Sequence, residues 1–185
     1  MATPERVFLD FSVNNGPARR VVFKLFTDTA PKSAENFAKL CEGVTINGKH
    51  QQYKGNGSHR LIKDFMIQFG DLQFYNPQQK HPRVGTGSAS VFGAKFEDQD
   101  LTGKFDRPYV LANANSGPNT NGSQAFITFE ACPWLNYNPV RRTGYQIIGE
   151  VVEGQEVIAD LNNVRCDRSD WPLQPVQIVD SGILE

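Results

Sequence analysis

Apolar residues in this 185-residue chain recur at every second position in short stretches, and no uninterrupted apolar run exceeds four residues (Tyr109 to Ala112). A period of two sends successive side chains to opposite faces of a strand, whereas an amphipathic helix repeats about every 3.6 residues. Val7, Leu9, Phe11 and Val13 alternate with Phe8, Asp10 and Ser12, and Val21, Phe23 and Leu25 repeat the pattern. Further apolar stretches lie at 61–69, 109–112, 125–129, 145–152 and 176–179, with Asn-Gly turn signals at 15, 47, 56 and 121. A chain so patterned must pair its strands with one another. Its apolar runs are too short for a helix that spans a membrane.

Two segments break the alternation. Ala34, Phe37, Ala38 and Cys41 fall on one face of a helix over residues 31–42, with Pro31 suited to its first turn and Gly43 to its end. Val157, Ile158, Leu161 and Val164 predict a second helix over 154–164. Many short strands with two isolated helices predict a mainly β fold, a closed barrel or sandwich with helical caps. The length fits one domain, 1–185. The 13 Phe argue against disorder, and a formal net charge of −1 excludes a basic nucleic-acid footprint over the whole surface. Met1 to Arg6 lack the apolar stretch of a secretory signal, so a cytoplasmic location is expected, with the nucleus left open. A closed barrel has no open edge and the chain has no coiled-coil heptads, so a monomer is expected.

Cys41, Cys132 and Cys166 form no close pair, which fits three free thiols better than a disulfide scaffold; a pairing of Cys41 with Cys166 stays open at this point. His50, His59 and His81 share no metal-ligand spacing with them, so no metal or other cofactor is expected. Gly43 to Lys49 resembles a phosphate loop, but His50 stands where a Mg²⁺-binding hydroxyl is required and the run follows a helix instead of opening one. Gly85-Thr-Gly87 starts like a dinucleotide fingerprint, yet no βαβ unit surrounds it. Asn56-Gly-Ser58 and Asn121-Gly-Ser123 match a glycosylation acceptor and read as turn chemistry.

Three segments carry more. In Ser58 to Asp71, read as one strand, Arg60, Ile62, Asp64, Met66 and Gln68 share a parity, a mixture unlike a dry core face; an edge strand with a solvated Arg gives the same pattern. Ala112 to Gln124 is thirteen residues without a charge or a large apolar side chain, suited to a compact loop closed by its own Asn and Ser hydrogen bonds. Ala125-Phe-Ile-Thr-Phe129, followed by Trp134-Leu135, is an aromatic run that core packing alone would explain.

In their order, His59-Arg60, Phe65-Met66, Gln68, Ala114-Asn115, Gly117 to Gln124, Phe126 and Trp134-Leu135 resemble the cyclophilins. Ala30 to Phe37, Phe92 to Asp98 and Val179 to Gly182 extend the similarity over nearly the whole chain. The resemblance implies a closed eight-stranded antiparallel β-barrel capped by two α-helices, peptidyl-prolyl cis–trans isomerase activity on proline-containing peptides and client proteins, and binding of cyclosporin. It implies catalytic roles for Arg60, Gln68 and Asn115. It implies a substrate and cyclosporin surface that includes His59, Phe65, Met66, Ala114 and Ser116, together with Gln124, Phe126, Trp134, Leu135 and Tyr145. A second pocket would involve Thr86, Lys95, Ser116 and Thr120.

The chemistry follows from the residues. Rotation about an X–Pro amide crosses a barrier of roughly 18–20 kcal/mol and takes tens to hundreds of seconds unaided. A gain of about 10⁵-fold corresponds to about 7 kcal/mol. The twisted transition state loses amide resonance and its proline nitrogen regains a lone pair. A fixed cation donating toward that nitrogen favours the twisted state over either planar isomer. Arg60 is the candidate, since a guanidinium keeps its proton and presents its donors in a rigid fork. One charge-assisted hydrogen bond contributes only about 1.5–3 kcal/mol, so the site must also hold the substrate. By the resemblance, Phe65, Met66, Phe126 and Leu135 would enclose the proline ring, contributing about 2 kcal/mol, while Gln68, Gln124 and backbone groups of Asn115 would hold the other side of the bond.

Three positions depart from the family pattern. Ala125 stands where members commonly have Phe beside the pocket, Ser116 replaces a common Ala at the rim, and Tyr145 occupies a position where many have His. Tyr does not titrate near neutral pH, which predicts a flat activity profile between pH 6 and 8. Trp134 is retained, and in the family that position favours cyclosporin. Loops around 44–52, 72–83 and 136–143 are longer than in compact members, and such loops often hold partner choice, though a tolerant surface explains them as well. The 44–52 extension follows Cys41, a feature of a divergent-loop subgroup with redox-sensitive Cys. The alternative to an active isomerase is a catalytically weak proline-binding scaffold that docks partners through these loops.

Overall fold

A computed structural model describes residues 2–184. The chain runs β1 (Arg6–Val13), β2 (Arg19–Leu25), α1 (Pro31–Glu42), β3 (Val44–Ile46), β4 (Lys49–Gln51), β5 (Ser58–Ile62), β6 (Met66–Phe69), β7 (Val110–Asn113) and β8 (Ala125–Thr128). A 3₁₀ turn (Pro133–Leu135), β9 (Ile147–Glu153), α2 (Gln155–Leu161) and β10 (Val176–Ile183) complete it. Eight strands form one antiparallel sheet in the order β10-β1-β2-β9-β7-β8-β6-β5, and β3 and β4 form a separate hairpin around Asn47-Gly48.

The sheet is nearly closed into a barrel, as expected. The seam is short: Gly57 bridges Gln177, Gly55 N–H donates to the Ile178 carbonyl at 2.8 Å, and Ile178 N–H donates to the Asn56 carbonyl at 2.8 Å. A Cβ at Gly57 would collide with the Tyr75 hydroxyl and the Val176 carbonyl, so the seam can close only on glycine. Asn56 and Asn121, the two acceptor-pattern residues, are buried with their amide nitrogens engaged: Asn56 Nδ2 donates to the Asp71 carbonyl and Asn121 Nδ2 to Asp98 Oδ1.

The alternation does what the pattern requires. Val7, Leu9 and Phe11 of β1 and Val21, Phe23 and Leu25 of β2 face the barrel interior. Helix α1 covers one end of this core with Ala34, Phe37, Ala38 and Cys41, all buried. Phe37 meets Phe23 edge-on at 5.8 Å and Tyr53 at 4.9 Å. Gly43 ends the helix at φ +101°, donating its N–H to the Lys39 carbonyl. The cysteines are three free thiols, and burial pushes Cys41 well above the ordinary thiol range and Cys132 and Cys166 up to about 11.

Two expectations are corrected. Helix α2 stops at Leu161 instead of 164, because Asn163 N–H and Val164 N–H turn back to the carbonyls of Asp160 and Leu161, three residues earlier. The side chains of Asn162 and Asn163 are occupied elsewhere. Asn162 bonds both the N–H and the carboxylate of Asp64, and Asn163 accepts from Lys63. The second correction lies at their target. Residues 58–71 are not one strand but a hairpin that turns at Asp64 (φ 62°), so Asp64 leaves the face assigned to it and Arg60 is set directly opposite Gln68.

Candidate active site

A strand has two faces, and the outer face of this barrel carries a second apolar cluster. Ile67, Phe69, Leu111, Ala125 and Ile127 point inward, so their neighbours Met66, Gln68, Val110, Ala112 and Phe126 point outward. Register lines up Arg60, Gln68, Phe126 and Ala112 across β5, β6, β8 and β7. Phe105, Cys132 and Leu135 pack over this row.

The row floors a cavity of about 90 Å³. Met66, Phe126 and Leu135 are its buried apolar walls, and Phe65, Ala114 and Tyr145 form its half-buried rim. Phe126 is held by Phe105, stacked at 6.0 Å, and by Tyr145, perpendicular at 5.4 Å. Arg60, Gln68 and Asn115 supply the polar side. A second cavity of about 310 Å³ adjoins it across Gln68, Ala114 and Asn115, and Thr86, Lys95, Ser116, Thr120 and Gln124 line that one.

The Arg60 head group is exposed and makes one hydrogen bond among the described residues, from Nη1 to Gln68 Oε1 at 3.2 Å. Gln68 Nε2 donates to Gln124 Oε1 at 2.9 Å, and Gln124 Nε2 donates to the carbonyls of Gly85 (3.0 Å) and Gly87 (2.7 Å). All donors in this chain point the same way, so each amide orients the next and Gln68 presents an acceptor to the guanidinium. The chain ends on a buried carboxylate: Asp71 Oδ2 accepts the N–H groups of Gly85 (2.6 Å) and Gly87 (3.2 Å). The remaining guanidinium donors are left for a ligand in the first cavity. The Asn115 side chain is spent on the Gly144 carbonyl and the Gly117 N–H, while its backbone N–H and carbonyl have no partner among the described residues.

Of the stretch Ala112 to Gln124 expected to be a loop, Ala112 and Asn113 belong to β7 and Ala114 to Gln124 form the compact loop, though its bonds reach beyond itself. Thr120 Oγ1 accepts from Ser116 N–H and donates to the Gly117 carbonyl, and Asp98 fastens Asn119 and Asn121. Lys95 Nζ reaches Ser116 Oγ at 3.4 Å across the second cavity, and Thr86 Oγ1 donates to the Arg83 carbonyl at its edge.

Of the residues singled out from sequence, His59 and Trp134 line neither cavity. Trp134 is 65% exposed and leans on Phe65 at 5.7 Å. His59 follows the strand alternation away from Arg60 and lies buried beneath the Gly85 turn. Ala125 faces the barrel core instead of bordering the cavity, so the Phe that the family commonly carries there is not missing from the site itself. Gln124 lines the second cavity and spends its whole amide on neighbours, which makes it a support for Gln68 more than a contact for a ligand. Sequence reading missed Asp71 and Phe105. The link of each to the site is not marked in the sequence, since the partners that tie them to it, Gly85 for Asp71 and Phe126 for Phe105, lie 14 or more residues away.

Burial holds the His59 imidazole at about 4, with the Asp71 charge opposing the shift and Arg60 adding to it, and Nδ1 has no hydrogen-bond partner. An ordinary imidazole titrates near 6.5. Below that pH the unfolded chain takes up a proton that the folded chain refuses until about pH 4. Stability is therefore full above pH 6.5 and falls by about 3 kcal/mol on acidification to pH 4. Chemical denaturation across that range measures the loss, and His59→Gln removes this share of it; an equally steep fall in the variant contradicts the assignment.

The family described as "Cyclophilin type peptidyl-prolyl cis-trans isomerase/CLD" matches residues 8–183. Among curated relatives, a protein named peptidyl-prolyl cis-trans isomerase D from Kluyveromyces lactis is 42% identical over 187 residues, covering 98% of this chain and 46% of the relative. One of the same name from Eremothecium gossypii is 41% identical over 189 residues, covering 100% of this chain and 47% of the relative. The chain thus spans about half the length of the curated relatives it matches.

Proposed function

Because the chain belongs to the cyclophilin-type peptidyl-prolyl cis–trans isomerase family, we propose that it accelerates rotation about X–Pro bonds in peptides and client proteins. The observation that carries this reading is a guanidinium with free donors at the lip of an apolar cavity. The proline ring occupies the space among Met66, Phe126 and Leu135, which fixes one side of the bond. The unpartnered backbone groups of Asn115 hold the peptide on the other side. Arg60, steadied by Gln68, donates to the proline nitrogen as the amide twists and its lone pair returns. The planar isomers lack that lone pair, so the bond strengthens only in the transition state. No covalent intermediate is required. The residue before proline, or the one preceding that, extends toward the second cavity, where Thr86, Lys95, Ser116 and Thr120 select it.

Cyclosporin, a cyclic peptide, binds the same cavity and extends past Phe65 to the exposed Trp134 behind it, and the protein acts as a monomer in the cytoplasm. A protease-coupled assay on an X–Pro tetrapeptide tests the activity. Rates above buffer that cyclosporin abolishes support the reading. Rates equal to buffer, with the peptide still bound, leave a proline-binding scaffold in its place.

A further inference from the structure

The third long loop leaves the chain between two walls of the first cavity. Leu135 and Tyr145 both line that cavity, and residues 136–143 are the excursion between them. Its base is pinched by a two-way bridge, Asn138 N–H to the Thr143 carbonyl at 2.9 Å and Thr143 N–H to the Asn138 carbonyl at 3.3 Å. Asn138 Oδ1 accepts the N–H groups of Val140 (3.0 Å) and Arg141 (3.1 Å), which folds the tip over its own side chain. Gly144, at the exit, is tied to the cavity wall through Asn115 Nδ2 and packs closely beside Tyr137, where a Cβ would meet the ring at 3.0 Å.

This small hairpin therefore holds its shape before any ligand arrives. Its tip presents Val140, 90% exposed, and the exposed Arg141 and Arg142. Among the described residues neither guanidinium makes an ion pair, a side-chain hydrogen bond or an aromatic contact, in contrast to Arg20, which is paired with Asp10 and lies over Phe8. No residue of the hairpin lines the second cavity, which joins the first on the side of Gln68, Ala114 and Asn115. A peptide whose residues before proline lie in the second cavity sends the residues after proline toward the hairpin.

We propose that the hairpin Asn138–Thr143 selects substrates: Arg141 and Arg142 favour peptides that carry a carboxylate side chain shortly after the proline. The proposal rests on the isomerase reading of the same site. Ion pairs in solvent are individually weak and screened by salt, so two such cations predict a preference of about three- to tenfold.

The test uses two seven-residue peptides that differ only by Glu or Gln two residues after proline. They are assayed with native protein and with the Arg141→Ala, Arg142→Ala double variant, at low and high salt. The expected Glu-to-Gln ratio of kcat/KM is about three to ten for native protein at low salt, and it collapses toward one in the double variant and at high salt. A native ratio near one, or a preference that survives the double substitution, overturns the proposal. Turnover of the Gln peptide reports isomerase activity independently. If neither peptide is turned over, the same ratio is read from dissociation constants by NMR titration, and equal affinities overturn the proposal while the failed turnover counts only against the isomerase reading.

Discussion

Replacing Arg60 by Ala lowers kcat/KM on an X–Pro peptide about 100-fold, the usual loss when one donor aimed at developing charge is removed. The fold does not depend on this side chain. Arg60 is exposed, makes a single hydrogen bond and belongs to no ion pair among the described residues, so the change in unfolding free energy stays within about 0.5 kcal/mol. Activity and stability therefore separate in this variant. Arg60→Lys recovers only part of the rate, because an ammonium lacks the planar fork that bonds Gln68 with one donor while leaving others free. Coupled assays and denaturation on the same preparations check both halves; a loss below about threefold removes Arg60 from the chemistry.

Asp71 gives the opposite signature. It is fully buried and touches no ligand surface, yet its carboxylate accepts four backbone N–H groups. Oδ1 takes Gln73 (3.0 Å) and Phe74 (2.9 Å), and Oδ2 takes Gly85 (2.6 Å) and Gly87 (3.2 Å). The first two open the long 72–83 loop and the last two lie just past its end, so one side chain staples the loop shut. Asp71→Ala orphans these donors, each at a cost of about 1–3 kcal/mol where water cannot reach. The expected loss is about 4 kcal/mol in denaturant unfolding, because loop-edge donors regain some water. Asp71→Asn keeps the volume but offers N–H to N–H on one side and costs somewhat less. Activity falls with stability here, since the Gly85 and Gly87 carbonyls that anchor Gln124 move with the loop. A loss under about 1 kcal/mol contradicts the staple.

Local periodicity was legible. The faces of β1, β2 and α1 are carried by residues that meet the core within one element, and Phe23, Phe37 and Leu9 land where their spacing put them. Elements cut short by distant partners were not. Nothing in Ala159 to Val164 reveals that Asn162 and Asn163 hold the turn at Lys63 and Asp64, about 100 residues earlier in the chain. The same turn splits 58–71 into two strands, and only the split explains why Arg60 and Gln68 stand side by side. Among site residues, Arg60, Met66, Gln68 and Phe126 were readable through a family resemblance, since composition favoured a solvated Arg on an edge strand. The path from Arg60 through Gln68 and Gln124 to Asp71 was not readable, because each link joins a different strand or loop. The 136–143 loop was visible as a long insertion, but its rigidity depends on the Asn138 side chain folding back on its own tip.

The central claim is that Arg60 stabilises the twisted amide and not merely the bound peptide. Exchange spectroscopy on an isotope-labelled X–Pro peptide measures cis–trans interconversion on the protein separately from affinity. In Arg60→Ala, interconversion of the bound peptide should slow about 100-fold while its dissociation constant changes less than about threefold. Unchanged interconversion with a large loss of affinity would assign Arg60 to ground-state binding and contradict the mechanism.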